Sequence, residues 1–133
     1  MIRTVGCRWA KGSGTSKDAA PQEGDGLAPG RKLLLTSGLA EIVYQTGVVV
    51  LLQGPATMEI GSKTSADIRQ GRLTVRVIDP ELTGFVVQTP SAKYTDLGTE
   101  FGVYVAADGK QEMHVIQGTV KVEGSRNLHR QKD

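Results

Sequence analysis

The sequence contains few of the residues on which enzymes and metal sites are usually built. Its 133 residues include one cysteine, Cys7, so neither an intrachain disulfide nor a cysteine-based zinc cluster can form. The two histidines, His114 and His129, are far apart in the sequence. His114 lies in a strand-like run, where a histidine is usually an ordinary cross-strand neighbour. The sequence therefore predicts no metal site and no bound cofactor.

Aromatic residues are also scarce, at 5% of the chain. Carbohydrate-stacking surfaces and platforms for single-stranded nucleic acid both need exposed rings, so the composition argues against both. Three basic residues near the C-terminus (Arg126, Arg130 and Lys132) form a weak nucleic-acid footprint, because no basic face accompanies them. We therefore expect no nucleic-acid partner.

Long apolar runs are missing as well. The most apolar run covers residues 48–52, about five residues, whereas a membrane-spanning helix needs about 20. The first residues lack the apolar stretch of a signal peptide. Taken alone, the chain is expected to be one soluble domain without an export signal. Its net charge of +2 and its 23% of charged residues argue against a disordered chain.

Glycine, by contrast, is abundant, with 17 residues at short and fairly even intervals. With Gly102 left aside, the gaps from residue 30 to residue 118 run from seven to fourteen residues. Turn signals at this spacing predict an all-β sandwich or barrel of about 10–12 short strands. No long stretch has apolar residues at helical spacing, so little or no helix is expected.

The segments between the glycines alternate between polar and apolar residues, as half-buried strands do. The run at residues 48–52 is apolar at every position, which predicts a strand covered on both faces. The alternation elsewhere predicts inward faces made of Ala40, Ile42 and Tyr44; Leu73, Val75 and Val77; Phe101, Val103 and Val105; and Val120 and Val122.

Two stretches do not follow the strand pattern. Residues 10–30 are rich in Gly, Ser, Pro, Asp and Lys, which predicts a mobile surface loop. Residues 124–133 have no apolar pattern and predict a basic tail or linker. The domain is therefore expected to cover residues 1–123.

Only two clusters invite a catalytic or ligand-binding interpretation. Asp96 and Glu100 are two carboxylates four residues apart, a spacing that could serve acid–base chemistry. The better interpretation is a turn, in which Asp96 bonds its own backbone, Gly98 adopts an unusual backbone angle and a strand begins at Thr99. Residues 12–17 (GSGTSK) lack the order of a phosphate-binding loop. We therefore predict no catalytic residue.

The stretch from residue 27 to residue 123, about three-quarters of the chain, resembles the periplasmic domain of FecR-type regulators, the membrane-anchored partners of extracytoplasmic-function sigma factors. Three elements carry most of the resemblance. Residues 85–90 (FVVQTP) match the F-x-V-x-T-P element, residues 98–101 (GTEF) match the G-T-x-F signature, and residues 115–120 (VIQGTV) match the closing V-x-x-G-x-V. The version is most similar to those in large cell-surface proteins of budding bacteria. The family-motif residues are Thr89, Pro90, Asp96, Gly98, Thr99, Phe101 and Gly118.

The resemblance implies a two-layer antiparallel β-sandwich of jelly-roll type, located in the periplasm or at the cell surface. It also implies structural roles for the motif residues and partners that are other protein domains of a cell-envelope or signalling protein. The implied function is protein binding and signal relay without chemistry, with an exposed strand edge as the natural contact.

The sequence departs from the family in lacking the N-terminal anti-sigma segment, the spanning helix and the C-terminal extension. Membrane association is therefore expected only through a segment absent from this chain. The alternative function is a structural or glycan-associated sandwich of a large bacterial cell-surface protein.

Overall fold

The computed structural model describes residues 2–9, 24, 26, 28–77, 84–98 and 100–124. Within these ranges the chain forms nine strands and no helix. The strands are β1 (Ile2–Trp9), β2 (Lys32–Val43), β3 (Val49–Ile60), β4 (Ser65–Arg76), β5 (Val86–Gln88), β6 (Ala92–Asp96), β7 (Glu100–Val105), β8 (Gln111–Gln117) and β9 (Val120–Gly124).

All nine strands belong to one hydrogen-bonded sheet. Strands β1 to β4 pair antiparallel in sequence order. The other edge of β4 is shared between two partners: residues 65–67 run parallel to β5, and residues 71–76 run antiparallel to β7. From there β5 leads through β6 to β9, while β7 leads to β8. The sheet therefore divides along the length of β4.

The three longest strands bend in the middle. The register between β2 and β3 shifts between Leu35 and Leu39, and the register between β3 and β4 shifts between Gln53 and Thr57. Such bulges bend a strand and increase its local twist. We name the line of Gly38, Gly54 and Gly71, which lies at these shifts, the glycine crease.

The crease divides the sheet into two layers. The front layer contains residues 39–43, 49–53 and 71–76 with β7 and β8. The back layer contains residues 32–35, 57–60 and 65–70 with β5, β6 and β9. Both layers bury alternate side chains in one core, which includes Leu33, Leu35, Ile42, Leu52, Met58, Ile68, Leu73, Val87 and Phe101.

The layers also meet through polar contacts away from the crease. The Tyr44 hydroxyl at the end of β2 donates to the Ser65 carbonyl at 2.9 Å, and its ring packs edge-on against Phe85 with centroids 4.9 Å apart. Further along the layers, Gln111 Nε2 donates to the Tyr94 hydroxyl at 3.1 Å. The predicted all-β fold is confirmed, and these contacts are consistent with a sandwich whose two layers are halves of one bent sheet. The pairing is antiparallel as predicted except between β4 and β5, which run parallel. The jelly-roll connectivity stays a prediction.

Two sequence predictions differ from the structure. The described strands number nine rather than 10–12, because the crease glycines lie inside twelve-residue strands and do not end them. The apolar run at 48–52 is fully buried on one face only: Val48, Val50 and Leu52 are buried, whereas Val49 and Leu51 are partly buried.

The other predicted inward faces are confirmed. Their members are buried, except Val77 and Val122, which are partly buried against the core. Most of the predicted loop at 10–30 and of the predicted tail at 124–133 lies outside the described residues, so the domain bounds stay predictions. In the part of the chain that the structure describes, no helix has the length and apolarity to cross a membrane.

Candidate functional site

The first family motif, Thr89-Pro90, forms the tight turn between β5 and β6. The Thr89 backbone N–H donates to the Ala92 carbonyl at 2.9 Å, and the Ala92 N–H donates to the Thr89 hydroxyl at the same distance. Strand β5 ends at Gln88, as expected, because proline cannot donate to the strand ladder. The motif thus positions the start of β6.

The second motif forms the turn that leaves β6. The Gly98 N–H donates to Asp96 Oδ1 at 2.7 Å, and Gly98 has a φ of +89°. The expected turn, with an aspartate bonding its own backbone and a glycine at positive φ, is therefore confirmed. Asp96 is fully buried. Thr99 lies outside the described residues.

Two crossings between the layers run side by side at this turn. The chain passes from β6 in the back layer to β7 in the front layer, and later from β8 in the front layer to β9 in the back layer. The Leu97 N–H donates to the Thr119 carbonyl at 3.1 Å and joins the two crossings. Gly118, with a φ of +98°, lies in the second one. The structure therefore brings Asp96, Gly98 and Gly118 together.

The two carboxylates of the acid–base interpretation face different environments. Asp96 is inside the core, whereas Glu100 is on the outer face of the front layer, where its carboxylate lies 3.6 Å from the Arg76 guanidinium. Phe101 follows Glu100 and is fully buried, opposite Val75 on one side and Val115 on the other. Asp96 is the last residue of β6 and Glu100 is the first residue of β7, so the two carboxylates lie on different strands and face different sides of the sheet.

A cavity of about 450 Å³ lies at the rim beside Tyr44 and is lined in part by Ile42, Ile60, Ser62 and Lys63. Burial raises the pKa of the Tyr44 hydroxyl, which already donates to the Ser65 carbonyl. This phenol is therefore a weaker acid than an exposed tyrosine, and its proton is already engaged in a hydrogen bond. The described lining does not pair a nucleophile with a base, as acyl or phosphoryl transfer would need.

The free edge of β8 is the described surface best suited to a partner. Strand β8 pairs with β7 alone, and one of its edges has no described strand beside it. Ile116 is the extra residue where Glu100 pairs with Gln117 and Phe101 pairs with Val115. This bulge leaves the Ile116 side chain 58% exposed.

Sequence reasoning expected an exposed strand edge but did not identify β8 or Ile116. The sequence signal that could have found it is Val115-Ile116, two adjacent apolar residues that break the polar–apolar alternation of β8.

Comparison with known proteins agrees with this arrangement. The family described as FecR protein matches residues 35–121, which include the crease and both crossings. The chain belongs to the FecR family. We therefore describe it as a FecR domain.

One solved structure with a similar fold is a candidate anti-sigma factor from Parabacteroides distasonis ATCC 8503. The two have a TM-score of 0.58 and 18% sequence identity, over 80% of this chain. The FecR chain spans 50% of the length of that protein. At this identity the likeness shows a shared fold. The search of curated proteins found no match.

Proposed function

We propose that this FecR domain is an extracytoplasmic protein-binding and signal-relay module that performs no chemistry of its own. Its partner is a domain of another cell-envelope or signalling protein. The free edge of β8, with Ile116 exposed on it, is the observation that carries the proposal. An unpaired strand edge offers backbone donors and acceptors to which a partner strand can add.

Strand β8 differs from the other two strands that have one described partner. Lysine and other charged side chains on an edge strand discourage pairing with another chain. Strand β9 carries Lys121 and Glu123, and β1 carries Arg8. Strand β8 (QEMHVIQ) is seven residues long, has no lysine, arginine or proline, and carries one carboxylate, Glu112. It is therefore the least protected of these three edges.

The motif residues support the proposal because they stabilise the sheet that holds β8 in place. Asp96 and Gly98 form the turn between the layers, and Phe101 anchors β7 in the core. These contacts fix β7, the strand on which β8 lies. We infer that the motif residues act structurally and position the binding edge without contacting the partner.

The glycan-associated alternative has less support in the described residues. Sugar binding by stacking needs an open aromatic face. Trp9 is partly buried against the core, Tyr44 and Tyr94 are buried, and the Arg72 guanidinium lies 4.7 Å from the centroid of the Tyr104 ring. The protein-binding function is therefore the one that the geometry favours.

The test begins with a partner captured from the cell envelope of the native host and then purified. Binding of this pure protein is measured by calorimetry to the wild-type FecR domain, to Ile116→Lys and to the matched control Leu97→Lys. Leu97 is also an exposed apolar side chain, at 48%, but it lies in the crossing between β6 and β7. We expect Ile116→Lys to weaken binding about tenfold or more, as loss of an apolar anchor does, and Leu97→Lys to leave it unchanged. Equal affinity of wild type and Ile116→Lys would overturn the proposal.

A further inference from the structure

The two faces of β8 indicate what kind of strand can add to its edge. On the inner face, Met113 and Val115 are partly buried against the core. An incoming strand would extend this face, and side chains on a strand alternate between the two faces of the sheet. Every second residue of the incoming strand would therefore lie beside Met113 and Val115, and it must be apolar to cover them.

On the outer face, charges are matched between β4 and β7. Arg76 lies opposite Glu100, and their side chains form an ion pair at 3.6 Å. Arg72 lies opposite Tyr104, and its guanidinium is 4.7 Å from the centre of that ring. In both of these cross-strand pairs, an arginine on β4 lies beside an acidic or electron-rich side chain on β7.

On β8, Glu112 lies directly opposite Tyr104 and so extends the cross-strand series of Arg72 and Tyr104. Its carboxylate is 3.3 Å from His114 Nε2, and both side chains are 65% exposed. His114 is cationic only when it is protonated, and Arg72 is already placed over Tyr104. Glu112 therefore presents a negative charge to the position that the next strand would fill.

We propose that β8 selects a partner strand with apolar residues at alternate positions and a lysine or arginine opposite Glu112. This inference rests on the proposed function and specifies the partner's chemistry. Opposite charges directly across two strands stabilise the pair, and like charges destabilise it. Glu112 then acts as a specificity determinant, while the backbone ladder and the apolar residues hold the strand.

The test uses two synthetic peptides and the whole chain. The basic peptide is Thr-Val-Arg-Val-Thr-Val-Thr with a soluble Gly-Ser tail, and the acidic peptide has Glu in place of Arg. Binding is followed by NMR through the backbone amides of residues 111–117. We expect the basic peptide to bind wild type about five- to tenfold more tightly than the acidic one, as one favourable and one unfavourable cross-strand charge pair predict.

Charge reversal provides the specific control. Glu112→Lys should invert the preference, whereas Glu123→Lys, on the edge strand β9, should leave it unchanged. If both peptides bind β8 equally, or if Glu112→Lys keeps the original preference, the inference is wrong and strand addition to β8 still stands. If neither peptide shifts the amides of β8, the inference and the proposed use of this edge are both wrong.

Discussion

Two crease glycines, Gly38 and Gly71, have positive φ angles similar to those of the turn glycines but different surroundings. At the crease, Gly71 has a φ of +116°, and a Cβ there would overlap the Ala56 side chain and lie 2.7 Å from Ala56 Cα. At the turn between β7 and β8, Gly109 has a φ of +93°, and a Cβ there would meet nothing within 4 Å. Gly109 in the turn needs only the backbone angle, whereas Gly71 in the crease needs both that angle and the absence of a side chain.

The difference follows from what each region does. A turn glycine reverses the chain in solvent, where a side chain has room. A crease glycine lets two strands approach while both bend, as at Gly38, where a Cβ would lie 2.6 Å from Cys7 Cα. Crease positions should therefore be less tolerant of substitution than turn positions.

Gly71→Ala should have the largest effect on stability. The strain of positive φ, about 1–2 kcal/mol, adds to the cost of overpacking against Ala56, about 1–3 kcal/mol. We expect a loss of about 3–4 kcal/mol in the free energy of unfolding, measured by equilibrium denaturation. The matched control Gly109→Ala should lose only about 1 kcal/mol, because it carries strain without overlap. Equal losses in the two variants would show that the crease is no more crowded than a turn.

Gly54→Ala isolates the steric component. Gly54 does not have a positive φ, but a Cβ there would lie 2.9 Å from Ser37 Cα and 2.9 Å from Ser37 N. We expect a loss of about 2 kcal/mol by the same measurement. Gly102→Ala is the control: it also lacks a positive φ, and its Cβ would have ordinary contacts at 3.6 and 3.7 Å. A neutral Gly54→Ala would contradict the steric account of the crease.

Gly98 tests the strain component at the turn between the layers. We expect Gly98→Ala to cost about 1–2 kcal/mol, and Gly98→Val more, because a β-branched residue is disfavoured at positive φ. The measurement is the denaturant midpoint of each variant beside Lys110→Ala, an exposed position that should be neutral. If both glycine variants unfold at the midpoint of the control, the backbone angle at Gly98 has no effect on stability.

Tyr44→Phe tests the region around Tyr44, Ser65 and Phe85, where side chains rather than glycines join the two layers. It removes the hydrogen bond to the Ser65 carbonyl and should cost about 1 kcal/mol at pH 8. Burial raises the pKa of Tyr44 above its ordinary 10.0, and burial also raises that of Tyr94. The contribution of these two tyrosines to the free energy of unfolding is therefore fully present below pH 10. It falls as the pH rises above 10, because their hydroxyls ionise at lower pH in the unfolded chain than in the folded one.

For each of these tyrosines, the free energy of unfolding decreases by up to about 1.4 kcal/mol per pH unit above pH 10. Tyr44→Phe should therefore lose stability less steeply than wild type between pH 10 and pH 12, as measured by denaturation at several pH values. Gly109→Ala, which changes no titratable group, should keep the wild-type slope. An unchanged slope in Tyr44→Phe would mean that its hydroxyl ionises as readily in the folded chain as in the unfolded one.

The candidate site could be predicted only in part from the sequence. The Asp96–Gly98 turn was predictable, because its hydrogen bond spans two residues and depends on local chain geometry. The free edge of β8 was not, because a strand's position in a sheet depends on long-range pairing. Strands β7 and β8 follow one another in sequence, yet β4 lies on the far side of β7 and nothing described lies beyond β8.

The sequence by itself determined which side chains of each strand enter the core, because alternation along a strand is local and the apolar positions follow it. It also determined that the domain is all-β. Only the tertiary structure decided which glycines end a strand and which bend one. A glycine has the same conformational freedom in both settings, and the difference is whether a neighbouring strand's backbone occupies the space that a Cβ would need. That neighbour comes from a distant part of the chain, as Ala56 does for Gly71 and Cys7 does for Gly38.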